Sequence, residues 1–401
     1  MGGHTESSLG TYNEWKVEVA RTFDEVVKMR QIWQEMQSCQ SEPAPNADID
    51  RYLSVLKAEQ KKVQPYVIRL YANGNPVAMV IGKIEEGQLS CRLGYKVLYK
   101  PSVRCLTVVY RGIIGHITDN TSALIVQELL SALHKGEADV AYLSHIKTDS
   151  PVYKAARKIP SFLRRGHFPI IQKHWVMSVP QNIEDFYKNR SKRHRANMKR
   201  YIRRLEKEYP RQVQIITYCQ EDEIQKAIND ASKISSKTYQ YALGKGLTNN
   251  NQTLILMKSA AKHKWLQIHI LYINNQPCAF QIGLRYGRTY FLDQIAYDPD
   301  WKQYNVGTVL FLKVLESLCE DCEIDFLDFG FGDADYKQSY GDKKWSEALV
   351  YIFAPRFYPL FVNMLSSSLT GLSLGLNYLA RKTHFIGWIK RHWRDKLQPK
   401  K

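Results

Sequence analysis

The residues able to do chemistry concentrate between positions 290 and 341. Asp293 is a carboxylate in an otherwise apolar run, Tyr-Phe-Leu-Asp-Gln-Ile-Ala-Tyr, and apolar surroundings suit a base. Asn305-Val306-Gly307-Thr308 opens onto Val309, Leu310, Leu312, Val314, Leu315 and Leu318, a spacing of three and four that predicts a helix with Asn305 as its N-cap. Because Gly307 has no side chain, first-turn amides there can approach a phosphate closely, and the helix dipole favours an anion. Past the helix stand Asp328-Phe-Gly330-Phe-Gly332-Asp333 and then Tyr336-Lys337. The phenol is placed to return a proton to a leaving group, with Lys337 either lowering its pKa or holding a phosphate. Ordinary roles compete: Asp293 as a hydrogen-bond acceptor from a neighbouring strand, Asp328 as a tie to loop amides, and Gly330 and Gly332 as turn formers.

The elements that must hold these groups follow from pattern. Residues 289–297 are rich in Tyr, Phe, Leu and Ile and close on Asp298-Pro299, which predicts a strand. Strands at 265–273 and 277–286, joined through Asn274-Asn275, precede it as a meander; strands at 324–327 and 346–354 follow it. An earlier stretch has the same grammar. Strands at 66–72, 76–84 and 103–111 lead to a helix from Asn120, a strand at 140–143 and Tyr153-Lys154, at nearly the spacing that joins Asn305 to Tyr336-Lys337. This reads as a diverged internal repeat. Ser122 stands where the second copy has Gly307, and the glycine-spaced Asp loop is missing, so the first copy reads as structural or acceptor-binding.

These motifs, in this order, resemble the GNAT acyltransferase superfamily, in the BioF-like acetyltransferase branch associated with cellulose and polysaccharide biosynthesis. The resemblance covers residues 193–341 and rests on the Arg-rich stretch 193–208, on Asn305-Val306-Gly307-Thr308, and on Asp328 through Lys337. Tyr336-Lys337-Gln338-Ser339-Tyr340-Gly341 is also similar to the Phe-Lys-x-x-Phe-Gly stretch of FemAB-type aminoacyl transferases, whose fold is a tandem GNAT. The usual coenzyme A loop reads Arg/Gln-x-x-Gly-x-Gly/Ala, whereas Gln303-Tyr304-Asn305 is followed here by Val306 and then Gly307. The resemblance implies an α+β fold of tandem GNAT-like domains, each a twisted mixed sheet flanked by helices. It divides the chain into an N-terminal GNAT-like domain (1–180), a C-terminal GNAT domain (181–356), and a C-terminal helix with a basic, Trp-containing tail (357–401). It further implies an acyltransferase moving an acyl group from acetyl-CoA or another acyl-CoA to an amine or hydroxyl of a small-molecule, glycan or peptide acceptor in cell-envelope or polysaccharide metabolism. Asn305, Val306, Gly307 and Thr308 would cradle the carrier, main-chain amides of 291–296 would steady the oxyanion, Asp293, Tyr336 and Lys337 would be catalytic, and Arg193, Arg200, Asp328 and Asp333 would bind substrate. Two alternatives stay open: an aminoacyl-tRNA-dependent transferase of FemAB type, and a degenerate, membrane-associated binding protein.

Composition bounds the partners. At 401 residues the chain is long for one domain, and 44% hydrophobic with 24% charged residues describes a globular protein. A formal charge of +18 draws in polyanions (coenzyme A, tRNA, nucleotide sugars, an anionic membrane) without choosing among them. Ten Lys and Arg residues between Arg190 and Arg211 face only Glu206 and Glu208, leaving Met198, Ile202 and Leu205 as an apolar seam. That helix is either an arm gripping a phosphate-bearing substrate, tRNA included, or a solvated helix held by its seam. Seven cysteines, an odd number, suit a reducing compartment; Cys319-x-x-Cys322 lacks a second pair or a nearby His, so no metal site is expected. Residues 1–12 are polar and lack the apolar core of a signal peptide, which predicts a cytoplasmic protein. Residues 357–380 carry no Asp, Glu, Lys or Arg, but serines and glycines dilute them; a packed helix is favoured over a span. The segment 381–401, basic and interleaved with Trp388 and Trp393, suits peripheral contact with an anionic membrane.

Overall fold

The computed structural model describes residues 14–59, 62–94, 96–244 and 246–382. The first half runs β1 (Trp15–Ala20), α1 (Phe23–Lys28), α2 (Arg30–Ser38), α3 (Ile49–Glu59), β2 (Val63–Ala72), β3 (Asn75–Gln88), a small hairpin of β4 (Cys91–Leu93) and β5 (Lys96–Tyr99), β6 (Ser102–Gly115), α4 (Asp119–His134), β7 (Val140–Lys147), α5 (Pro151–Lys158) and β8 (Ile170–Ser178). The second half runs α6 (Ile183–Lys188), α7 (Lys192–Glu208), β9 (Val213–Tyr218), α8 (Ile224–Ser236), α9 (Tyr239–Ala242), α10 (Asn251–Lys262), β10 (Leu266–Ile273), β11 (Gln276–Tyr286), β12 (Thr289–Tyr297), a 3-10 turn (Pro299–Tyr304), α11 (Val306–Glu320), β13 (Phe326–Phe331), α12 (Asp335–Tyr340), β14 (Lys343–Phe353) and α13 (Phe357–Lys382).

Local chemistry explains the joints. Thr22 and Thr118 cap α1 and α4 in reciprocal boxes with Glu25 and Thr121, and Ser150 caps α5 ahead of Pro151. Asn73-Gly74 and Asn274-Asn275 all take left-handed φ, which gives the two-residue turns joining β2 to β3 and β10 to β11. Both turns stand where the sequence placed them.

Twelve strands form one sheet in the order β1-β2-β3-β6-β7-β14-β8-β13-β12-β11-β10-β9. The internal repeat is visible in it. Antiparallel β1-β2-β3-β6 and β9-β10-β11-β12 each hand over, through α4 or α11, to a parallel neighbour, β7 or β13. The last strand of each unit then changes sides. β8 pairs with β13 and β14, while β14 pairs with β8 and reaches back to β7. The expected division at residue 180 therefore crosses a continuous sheet in which the two halves have exchanged a strand. Hydrophobic alternation fixes which face of a strand is buried, not which distant strand lies beside it.

α11 is apolar almost all round and is buried accordingly. Val306, Leu310 and Leu315 are fully buried, and Val309, Phe311, Leu312, Val314 and Leu318 nearly so. Removing a side chain of this size from water contributes roughly 1.5–3 kcal/mol, so α11 is a rigid element from which to hang a site. α7 lies against it through Met198 and Leu205, with Ile202 partly buried, the seam read from sequence. α13 docks at its start, where Asn363 Nδ2 donates to Leu163 O (2.9 Å) and Arg165 O (3.1 Å). Farther along, Leu372, Leu374, Leu376 and Tyr378 are more than half exposed, so α13 is less packed than the sequence suggested. Its stretch Phe357–Leu376 is long and apolar enough to cross a membrane, with mean hydropathy 1.2. Residues 1–13 and the basic tail beyond Lys382 lie outside the described residues.

Candidate active site

β12 and β13 run in parallel register only at Thr289–Phe291, opposite Phe326–Asp328, and then part. Beyond Phe291, β12 keeps β11 on one edge and has no strand on the other, so main-chain groups on that edge face open space. A cavity of about 730 Å³ fills the wedge. Ile295, Ala296 and Tyr297 of β12 form one wall; Asn305, Gly307, Thr308 and Phe311 of α11 form a second; Ala334, Asp335, Tyr336 and Tyr340 close it.

α11 presents an uncapped end to this cavity. Asn305 occupies the N-cap position but has left-handed backbone (φ 52°) and its side chain makes no capping hydrogen bond. Its carbonyl accepts from Thr308 N–H (2.9 Å) and Val309 N–H (3.0 Å). The start of α11 therefore lacks the side-chain oxygen that would compete with an incoming anion. Gly307 is closely packed: a Cβ there would stand 3.2 Å from the Tyr297 ring. Val306 turns its side chain into the core, leaving only its main chain for a ligand.

Asp293 sits at a kink in β12. The β11–β12 register runs Ile282 to Gln294 and then Gly283 to Leu292, so Asp293 is the extra, bulged residue. Bulges re-aim side chains in this way. Gly283 opposite is required by contact, since a Cβ there would lie 2.0 Å from Cζ of the fully buried Tyr290. Asp293 looks into two smaller cavities, one of about 210 Å³ that it shares with Arg51, Tyr110, His174, Asp328, Tyr336 and Lys337, and one of about 170 Å³ shared with Arg51, Thr248 and Gln294. Its side chain is exposed, reached by solvent through the cavity mouths, while protein atoms crowd it from the other sides. That crowding pushes its carboxyl above the ordinary carboxylate range, against the pull of Arg51. Tyr336 and Ile295 line both the large cavity and the 210 Å³ one, so the two meet at the phenol.

The Tyr336 hydroxyl makes no hydrogen bond among the described residues, and burial pushes the phenol up to about 12. The sequence had Lys337 lowering that pKa or holding a phosphate. Instead Lys337 Nζ donates to Phe331 O (2.8 Å) and lines the 210 Å³ cavity, away from the α11 end. Burial holds its ammonium below the usual range, with Asp328 opposing. Asp328 is buried; its Oδ1 accepts from Gly330 N–H (2.7 Å), the loop tie that was its ordinary alternative, and from His174 Nε2 (2.7 Å). Asp333, Arg193 and Arg200 are exposed and line none of these cavities. The basic face of α7 reaches the turn ahead of α11, where Arg204 donates to Gln303 O (3.3 Å) and lies over the Tyr304 ring (5.0 Å); of that turn, Pro299 and Lys302 line the large cavity.

Sequence reasoning missed a buried group behind the wedge. His174 on β8 is fully buried between Asp328 on β13 and Glu347 on β14, with Nδ1 3.2 Å from Glu347 Oε2 and 3.2 Å from the Tyr110 hydroxyl, and its ring stacked on Trp345. Burial works against its charge, but the two carboxylates outweigh burial and raise its pKa. Glu347 stands in an apolar strand just as Asp293 does, so the criterion that singled out Asp293 also selects it.

Residues 192–338 match the sequence family described as acetyltransferase (GNAT) domain. This region is a GNAT domain. Among solved structures, FemX superposes with a TM-score of 0.55 at 9% identity, over 87% of this chain and 100% of that one. A tandem GNAT protein from the clavulanic acid biosynthesis pathway superposes at 0.50 and 9% identity, over 86% of this chain and 100% of that one. At such identities the likeness is one of fold, and the chain has the tandem GNAT fold, with the second GNAT unit carrying the wedge. No curated protein matches the sequence significantly.

Proposed function

We propose that the chain is an acyltransferase that moves an acyl group from a coenzyme A thioester in the large cavity to an amine or hydroxyl presented from the Asp293 side. The observation that carries this reading is the position of Tyr336 on the wall common to the two cavities, opposite the uncapped start of α11. Main-chain amides of Val306 and Gly307, with Lys302 beside them, suit the carrier's diphosphate, and Asn305 and Thr308, whose own amide is spent on Asn305 O, line the same mouth. The unpaired edge of β12 beyond Phe291 offers main-chain donors to a developing oxyanion. Asp293, with its raised pKa, takes the acceptor's proton, and Tyr336, protonated at neutral pH, gives one to the departing thiolate. Asp328 and Lys337 hold the loop that positions Tyr336, and Arg193 and Arg200 stand ready only for a substrate large enough to reach the exposed face of α7.

A second reading, transfer from an aminoacyl-tRNA, is favoured by that basic helix, whose Arg204 reaches the turn ahead of α11. Thermal shift with acetyl-CoA, longer acyl-CoAs and aminoacyl-tRNA separates the two, since a ligand of the folded state raises the melting temperature. Acyl-CoA stabilisation that disappears in Gly307→Val supports the first. Binding to tRNA alone, falling steeply with salt, supports the second; no shift with any of them sinks both. The exposed apolar stretch of α13, whose sequence ends in Arg381 and Lys382, supports peripheral membrane contact. Flotation with anionic but not neutral vesicles checks it.

A further inference from the structure

Behind Tyr336 two opposite charges face the same space, neither in an ion pair among the described residues. Arg51 comes from α3 in the first half of the chain; its Nε donates to Asn46 Oδ1 (3.0 Å), and its guanidinium makes no ion pair among the described residues. Asp293 accepts no hydrogen bond among the described residues. Both line the 210 Å³ cavity and the 170 Å³ cavity. Their charged neighbours are already engaged. Asp328 holds His174, Lys337 holds Phe331 O, and Asp48 accepts from Asp50 N–H (2.7 Å) and the Tyr286 hydroxyl (2.7 Å). Arg51 is partly buried and Asp293 is open to solvent, so each keeps its charge available to a ligand. A cation and an anion lining the same two open clefts without an ion-pair partner therefore match a ligand that brings one charge of each sign.

We infer that this space is the subsite of a small zwitterionic amine, an α-amino acid or a compound with the same ammonium and carboxylate pair, whose ammonium sits on Asp293 and whose carboxylate sits on Arg51. The planar guanidinium fork suits a carboxylate. Size agrees: 210 Å³ admits about seven heavy atoms at the ~30 Å³ a water molecule claims in the liquid, and the 170 Å³ space beyond, lined by Leu247, Met257 and Leu266, receives a side chain. That the occupant is also the acyl acceptor rests on the proposed acyl transfer; its binding does not. In that transfer the ammonium gives a proton to Asp293, and the freed lone pair forms the C–N bond at the thioester carbon. The C–S bond breaks, the thiolate takes the Tyr336 proton, and the proton left on nitrogen passes to the phenolate, so an amide and a free thiol result while Asp293 releases its proton to water.

The test uses the full chain without carrier. Titration calorimetry with the twenty amino acids should find at least one that binds, while its decarboxylated amine and its N-acetyl derivative bind far more weakly. Arg51→Met should weaken the amino acid by roughly ten- to a hundredfold, the loss of one charged hydrogen-bonded contact, and leave the decarboxylated amine unchanged. Arg51→Lys should recover part of the loss. If wild-type protein binds an amino acid and its decarboxylated amine alike, or binds none of the twenty, the assignment is overturned without any variant having to fold. Binding of ethanolamine phosphate in place of every amino acid would overturn it too, by showing that the anion is a phosphate. Acetyl-CoA titrated in the same series reports on the carrier site separately, so a silent carrier with a bound amino acid sinks the acyl-transfer reading alone.

Discussion

Tyr336→Phe removes one oxygen from the wall where the large cavity meets the acceptor space. Because that oxygen has no hydrogen-bond partner among the described residues, no donor or acceptor is stranded by its loss, and the ring keeps its edge contact with Phe329 at 6.1 Å. Stability should therefore change by no more than about 0.5 kcal/mol. Catalysis should suffer much more. The phenol, pushed up to about 12, is a proton donor at neutral pH, and losing a positioned acid slows the chemical step about 10²- to 10⁴-fold, or about 2.7–5.4 kcal/mol of barrier. The assay is thiol release from acyl-CoA with a saturating acceptor, kcat and KM measured separately, beside a thermal melt. A drop in kcat with KM nearly unchanged and an unchanged melt is expected, and an activated aryl thioester should narrow the defect because its thiolate needs less protonation. A loss of less than about fivefold in kcat, or a melting temperature falling in step with activity, refutes the assignment of Tyr336 as the acid.

His174→Ala should destabilise the protein by about 3–5 kcal/mol, since Asp328 and Glu347 would be left buried without the imidazolium between them. The sign with pH follows from the raised pKa: the imidazolium's contribution is complete below about pH 6.5 and is lost as pH climbs through the folded-state value. Urea melts across that interval should show wild-type stability declining with pH more than that of the variant. Gly283→Ala should cost about 1–3 kcal/mol because the new methyl meets the buried Tyr290 ring. It should also lower kcat/KM by shifting the bulge that aims Asp293, which steady-state kinetics beside a melt would register.

The elements of the site were legible because each is local. The apolar spacing after Gly307 specifies α11 on its own, the Asn-rich turns specify the meander, and the two copies of that grammar announced the repeat. What stayed hidden is whatever depends on remote partners. Arg51 belongs to a helix in the first half yet faces a cavity of the second, and nothing about its sequence neighbours says so. His174 and Glu347 look like single polar residues in apolar strands until β8 and β14 lie side by side. The bulge at Asp293 had a trace, Gly283 in the middle of a strand, which is the usual mark of a close approach. Asp333, Arg193 and Arg200 were drawn into the expected site by motif adjacency and charge, and solvent is where such side chains ordinarily go.

The exchanged strands also decide when the molecule can come into being on the ribosome. β7 waits for β14, a segment made roughly 200 residues later, and such a distant closure is slow. Until residues 343–353 emerge, an edge of the first unit is bare and open to adhesion with other nascent chains. A stop codon placed between the repeats would therefore yield a sticky fragment rather than a working half, and β14 is the clasp that completes both units at once.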